Sequence, residues 1–338
     1  MARPSNEFLL AWSSLRCLEN AQGWQVIALP SAGPLHLRAG RRSPDNSEAV
    51  LVGFPTARIS EADKLPEGQG FSVERTDPEG NGRVWLAITR KSAGSIELFS
   101  VMACDVVGAL DDAVASAATE ERLLRILVSR ITAWQEFMRR GAQPIGAEAE
   151  IGLVGELIFL HSLVEAGVPT LAAINSWVGP LDQIQDFHIG TGAIEVKSTL
   201  ATTGFVARIG ALEQLDSSTR QPLYVAGVRL AQKATGASLP QIAEKLRSKF
   251  IGDAEAEQLF SERLLAAGYI SSHANRYQRR FEMADIRLLE VTDNFPRLTR
   301  GNVPHGILKA MYDVDLDKTP NQNLTIQIVL NKMGTVST

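Results

Sequence analysis

The stretch Gly179-Pro-Leu-Asp-Gln-Ile-Gln-Asp-Phe-His-Ile-Gly-Thr-Gly-Ala-Ile-Glu-Val-Lys-Ser-Thr199 decides how this chain is read. Two alternating runs flank Gly190-Thr191-Gly192, a composition suited to a hairpin turn. With a two-residue loop, Asp186 falls opposite Glu195 or Lys197, depending on which pair forms the turn. In either register one face carries Phe187, Ile189, Ile194 and Val196, and the other carries Asp186, His188, Glu195 and Lys197. Side chains alternate across a strand, so this arrangement buries every large apolar residue and gathers two carboxylates with one ammonium. Carboxylates held close together repel each other unless a proton or cation intervenes, and hard oxygen ligands suit Mg²⁺ or Mn²⁺. The plainer alternative is a solvated sheet face on which Glu and Lys pair across strands, worth only about 0.2–1 kcal/mol.

Upstream, Glu156 is the only formally charged side chain between Ile151 and Val164. Its helical neighbours Gly152, Leu153, Leu160 and Leu163 point it toward the interior, where a carboxylate needs a partner. Gly152 and Gly155 each cost about 1 kcal/mol in helix propensity, which makes sense if the helix approaches a sheet closely. A structural ion pair, with Lys197 itself as a candidate, is the competing role for Glu156.

The rest of the periodicity frames these two features. From about Gly23 to Ala103, short runs such as 24–29, 50–54 and 84–89 alternate with Gly, Pro and Asp, which predicts an antiparallel β domain over 1–104. Helical spacing of Leu123, Ile126, Leu127, Ile131, Trp134 and Phe137 predicts connecting helices over 105–145. The third domain, 146–338, opens with a helix at 147–166 ended by Gly167 and Pro169. Strands follow at 186–189, 193–199, 204–209 and 222–230, with a short helix at 211–217. Helices at 240–250 and 254–267 then precede late strands at 281–291 and 307–316.

Taken in order, Glu156 on a helix, Asp186, Glu195-Val196-Lys197, a strand and Gln214 resemble the PD-(D/E)XK nuclease superfamily. The strings Gly155-Glu-Leu, Trp177-x-Gly-Pro, Asp186-Phe and Glu195-Val-Lys-Ser are closer still to a bacterial family of PD-(D/E)XK proteins of unknown function. The motif's Pro-Asp pair is absent, because Gln185 precedes Asp186; Pro180 lies two positions before Asp182, a competing ligand. The resemblance implies an α/β, restriction-endonuclease-like core of helix, three-stranded antiparallel meander, helix and strand. It also implies that Asp186 and Glu195, with Val196 between them, bind Mg²⁺ or Mn²⁺, that Glu156 completes or supports the shell, and that Lys197 orients the attacking water. Gln214 would contact the site or the scissile backbone; a surface position on its helix is the alternative. The implied activity is cleavage of DNA in bacterial restriction or phage defence, with defence-system partner proteins and a homodimer both compatible. A non-catalytic DNA-binding or assembly subunit that keeps the fold is the reading from another class. A carboxylate-pair glycosidase gives Lys197 no role.

Composition sets outer limits. The 338 residues are 45% hydrophobic and 21% charged, a globular balance with length enough for two domains. The net charge of −4 gives no global attraction to phosphate, so a nucleic-acid surface must be local. One candidate is 276–309, with seven basic and four acidic residues and a basic-aromatic cluster of Arg276, Tyr277, Arg279 and Arg280. Cys17 and Cys104 form neither a disulfide framework nor a zinc site, and no signal peptide or membrane span is read, so a cytoplasmic location is expected. The fingerprint-like Gly190-Thr-Gly192 precedes a strand, which excludes a dinucleotide fold. Nucleophile-elbow, zincin and phosphate-loop motifs are missing. Trp134, Phe159 and Trp177 read as core.

Overall fold

The computed structural model describes residues 6–15, 23–30, 33–56, 65–80, 82–139 and 145–334. They divide into two compact units, 1–143 and 144–338. No helix among them is long and apolar enough to cross a membrane. Cys17 lies outside the described residues, and Cys104 is half-buried.

In the first unit a short helix, α1 (Glu7–Ser14), precedes five strands: β1 (Trp24–Leu29), β2 (His36–Arg42), β3 (Ser47–Phe54), β4 (Phe71–Thr76) and β5 (Val84–Arg90). They form one antiparallel sheet in the order β1-β2-β3-β5-β4. The central β3 is apolar and almost wholly buried; its one acid, Glu48, is held by Arg41 (3.0 Å) and Arg90 (2.6 Å). Two helices follow, α2 (Ile96–Ala115), capped by Ser95, and α3 (Glu120–Arg139). α2 starts nine residues before the expected 105, and both helices belong to the first compact unit. Asp105 on α2 takes two bonds from Arg130 (2.7 and 2.5 Å) and one from Trp134 Nε1 (2.7 Å) on α3, tying the pair together.

The second unit opens with α4 (Ala147–Glu165) and α5 (Thr170–Ser176), followed by the hairpin β6 (Phe187–Ile189) and β7 (Gly192–Thr199). Next come β8 (Val206–Ile209), β9 (Leu223–Ser238), α6 (Leu239–Arg247), α7 (Ala254–Ala266), β10 (Arg280–Glu290), β11 (Tyr312–Asp315) and α8 (Ile326–Lys332). The main sheet runs β10-β9-β7-β6, with β7 and β9 parallel and the other pairs antiparallel.

Two expectations fail here. The third strand of the meander does not join the sheet: β8 pairs with β11 in a separate ribbon, and β9 takes the place beside β7. The first eight residues of β9, Leu-Tyr-Val-Ala-Gly-Val-Arg-Leu, are the near-continuous apolar run that a strand covered on both faces requires. The short helix expected at 211–217 is a pair of tight turns, closed by Gln214 N–H to Ala211 O (3.3 Å) and Asp216 N–H to Glu213 O (3.1 Å). So short a segment does not offset the cost of nucleating a helix.

Both sheet faces are covered. On one side Phe187, Ile189, Ile194, Val196, Tyr224 and Ala226 pack with Leu153, Val154, Leu157 and Leu160 of α4. On the other, Ala193, Leu223 and Val225 pack with Phe205, Ala207, Ile209, Val314 and Leu316 of the β8–β11 ribbon.

Candidate active site

The hairpin has a two-residue loop. Phe187 pairs with Ile194, His188 with Ala193 and Ile189 with Gly192, so the turn is Gly190-Thr191 and the register continues to Asp186 opposite Glu195. Gly190 has φ +52°, and a Cβ there would lie 2.0 Å from the Met333 carbonyl, so both the turn and the approach of α8 need a glycine. The apolar side chains Phe187, Ile189, Ile194 and Val196 all enter the α4-side core, as alternation predicted.

Asp186 stands where the β6 ladder ends, and its side chain continues that ladder: Val196 N–H donates to Asp186 Oδ2 at 2.7 Å. Its own carbonyl accepts the N–H groups of Val178 (2.8 Å) and Gly179 (3.0 Å). A Cβ on Gly179 would come within 2.8 Å of Asp186 Oδ1, so the Trp177-x-Gly-Pro string serves a close approach to this carboxylate. Burial raises the Asp186 carboxyl to about 6, against the opposing pull of the Val196 N–H and the Lys197 ammonium.

Glu195 is 2% exposed, and its Oε1 receives Lys197 Nζ at 2.7 Å. Its other oxygen, Oε2, is buried with no hydrogen-bond partner. Burial, and then the Asp186 charge, push Glu195 well above the usual carboxylate range; Lys197 opposes this and the Glu156 charge adds to it. Glu156 on α4 is therefore within electrostatic reach of the hairpin acids. Trp177 Nε1 donates to Glu156 Oε2 at 2.6 Å. Gly155 lets α4 come this close, since a Cβ there would lie 1.8 Å from Ser198 Oγ on β7, whereas Gly152 faces open space.

Gln214 does reach the site, from a turn. Its Oε1 accepts Lys197 Nζ at 3.2 Å and Gly210 N–H at 2.8 Å. Gln185, 3% exposed, fixes the same turn by donating Nε2 to the carbonyls of Glu213 (3.3 Å) and Gln214 (3.4 Å). The residue that replaces the motif's proline therefore anchors the loop that holds the lysine's second acceptor.

Four of the five sequence candidates thus surround one amine or act on one carboxylate, and Glu156 joins them through its charge on Glu195. Among the described residues no group of three His, Cys, Asp or Glu side chains is placed to hold a metal ion. Each acid instead has its own donor: Val196 N–H, Lys197 and Trp177. A divalent ion nonetheless fits the donors present, because buried Glu195, with one orphaned oxygen, and half-buried Asp186 beside it are hard ligands short of positive charge.

Other candidates resolve differently. Asp182 is exposed, in the left-handed conformation (φ +58°) at the end of the 179–181 turn. His188 is half-buried with its Nε2 unbonded, and burial with the Arg220 charge lowers its pKa. The cluster at 276–280 is largely structural: Arg279 pairs with buried Glu150 (2.5 Å), Arg280 donates to Gly236 O (3.0 Å), and the buried Tyr277 OH accepts Ile145 N–H (3.3 Å). Sequence reading took Trp177 for core alone and gave Gln185 no role; the string Trp177-x-Gly-Pro was the available signal for the first, and nothing local signals the second.

An α/β unit that sets an aspartate and a Glu-x-Lys on one hairpin, beside a helical glutamate, is a protein of the PD-(D/E)XK nuclease-like class. The match to a family model agrees: the family described as "Putative PD-(D/E)XK family member, (DUF4420)" covers residues 9–317, and the chain belongs to it. No curated protein and no solved structure matches the chain.

Proposed function

We propose that the chain is a Mg²⁺-dependent endonuclease that hydrolyses DNA phosphodiester bonds in bacterial restriction or phage defence, with 146–338 as the nuclease-like domain. The observation that carries this reading is the Lys197 ammonium held between Glu195 and Gln214, next to a second, half-buried carboxylate, Asp186. Asp186 and Glu195, with the Val196 carbonyl between them, would hold the divalent ion, and Mn²⁺ would substitute. When bound, such an ion supplies Lewis acidity to a phosphoryl oxygen and acidifies water. Lys197 would position the attacking water or take up charge on the phosphate, and Gln214, its second acceptor, would hold the amine in place. Glu156, steadied by Trp177, supports the acid pair from α4.

Incubating the protein with plasmid and Mg²⁺ or Mn²⁺ tests this. Nicking that stops with chelator and with Lys197→Met supports the proposal; cutting indifferent to both removes it. One observation favours a second reading, a non-catalytic DNA-binding or assembly subunit: among the described residues no three His, Cys, Asp or Glu side chains are placed as an ion cage. Duplex binding without cleavage, in a chain that gives no heat on divalent-ion titration, would select that reading.

A further inference from the structure

The loop between β10 and β11 was expected to be strand from 307 onward, yet only 312–315 pairs, and several of its apolar residues face solvent. Leu308 is 79% exposed and Met311 62%, with Ile307 and Leu298 also exposed. Between them and around them stand Arg297, Arg300 and Lys309, and 294–311 contains no acidic residue in a chain whose net charge is −4. Exposed apolar side chains interleaved with cations do not suit a hydrophobic contact with another acidic protein surface. They suit a polyanion with apolar faces between its charges, which is what a nucleic-acid duplex offers.

The loop is also fastened to the turn that holds the catalytic lysine. Arg297 Nη1 donates to Leu215 O (2.9 Å) and Ser217 Oγ (3.0 Å), and Arg300 pairs with Glu213 (2.6 Å), the neighbour of Gln214. Leu298 N–H donates to Tyr312 OH at 2.9 Å, and that phenol lies close enough to feel the Lys197 charge. Inside the loop, Asn302 bridges Thr299 N–H (2.7 Å) and Arg297 O (2.8 Å), and Phe295 is buried in the ribbon-side core. Leu308 and Met311 are thus presented by an anchored loop adjoining the proposed site of cleavage.

We propose that 294–311 engages a DNA duplex beside the scissile phosphate, with Leu308 and Met311 inserting at a base step while Lys309 faces a phosphate. This rests on the nucleic-acid reading of the site but not on catalysis. The test uses the full chain carrying Lys197→Met, in chelator, with a short duplex containing 2-aminopurine. Adding Leu308→Ser and Met311→Ser should weaken binding about tenfold and abolish the 2-aminopurine fluorescence rise, with the salt slope unchanged. Lys309→Gln should weaken binding and lower the salt slope by about 1. All three side chains are exposed, so an unchanged thermal melt checks folding. Unaltered affinity and fluorescence in the Leu308/Met311 variant overturn the proposal. So does a dimer-to-monomer change with duplex binding intact, which would make this face a contact between copies. A wild-type chain that binds and unstacks the duplex but never cuts retires the nuclease reading alone.

Discussion

Replacing Asp186 by asparagine should make the metal-free protein more stable at neutral pH and leave it nearly unchanged in acid. The Asp186 carboxyl rises from 3.8 to about 6 because burial penalises its charge. Between those two pH values the folded chain still holds a proton that the unfolded chain has released, so stability falls as pH rises through that window. At about 1.4 kcal/mol per pH unit, the rise from 3.8 to about 6 amounts to about 3 kcal/mol lost by neutrality. Asparagine keeps an oxygen for the Val196 N–H and carries no charge. It also removes the repulsion that helps push Glu195 up. The new amide must find an acceptor, which cancels part of the benefit, so a net gain of about 1–3 kcal/mol is expected near pH 7.5 and about zero near pH 4. Guanidinium unfolding in chelator at a series of pH values measures it. A variant less stable than the parent near neutrality, or a difference flat across pH, would refute the electrostatic account of the site.

Gly155→Ala should destabilise by about 1–3 kcal/mol despite the better helix former, because its methyl would collide with Ser198 Oγ; Ser198→Ala in the same chain should recover part of the loss in thermal melts. Trp177→Phe removes the donor to Glu156 Oε2, and should cost about 1–3 kcal/mol in denaturant unfolding and weaken Mn²⁺ binding as well. Gln214→Ala should lower kcat for cleavage about tenfold with KM little changed, since it frees the Lys197 amine without touching bound DNA; equal changes in both parameters would contradict that role. Gln185→Leu should give the same kcat loss in weaker form, with faster amide exchange at Gly210 as the turn loosens.

The hairpin was legible because its alternation admits only one set of core residues, so Phe187, Ile189, Ile194 and Val196 went inside and brought Asp186, Glu195 and Lys197 together. Glu156 was legible for the opposite reason, as the only formal charge in the apolar run from Ile151 to Val164. The partner of β7 was not legible. The run from Leu223 to Leu230 announces a buried strand, yet nothing local says that it inserts parallel to β7 while β8 leaves for β11. Gln214 was placed at the site on a helix that does not form, since its position depends on Gln185 and Gly210 and not on periodicity. The exposure of Leu308 and Met311 was hidden in the same way, because an apolar run reads as strand until its neighbours decline to pair with it.

The most direct measurement is calorimetric titration of the DNA-free chain with Mn²⁺ near neutral pH. The account predicts saturable binding that releases protons from the Asp186–Glu195 pair, weakens as pH falls below about 6, and is lost in Asp186→Asn and Glu195→Gln. Binding of equal strength in both variants, or none in the parent, would contradict it.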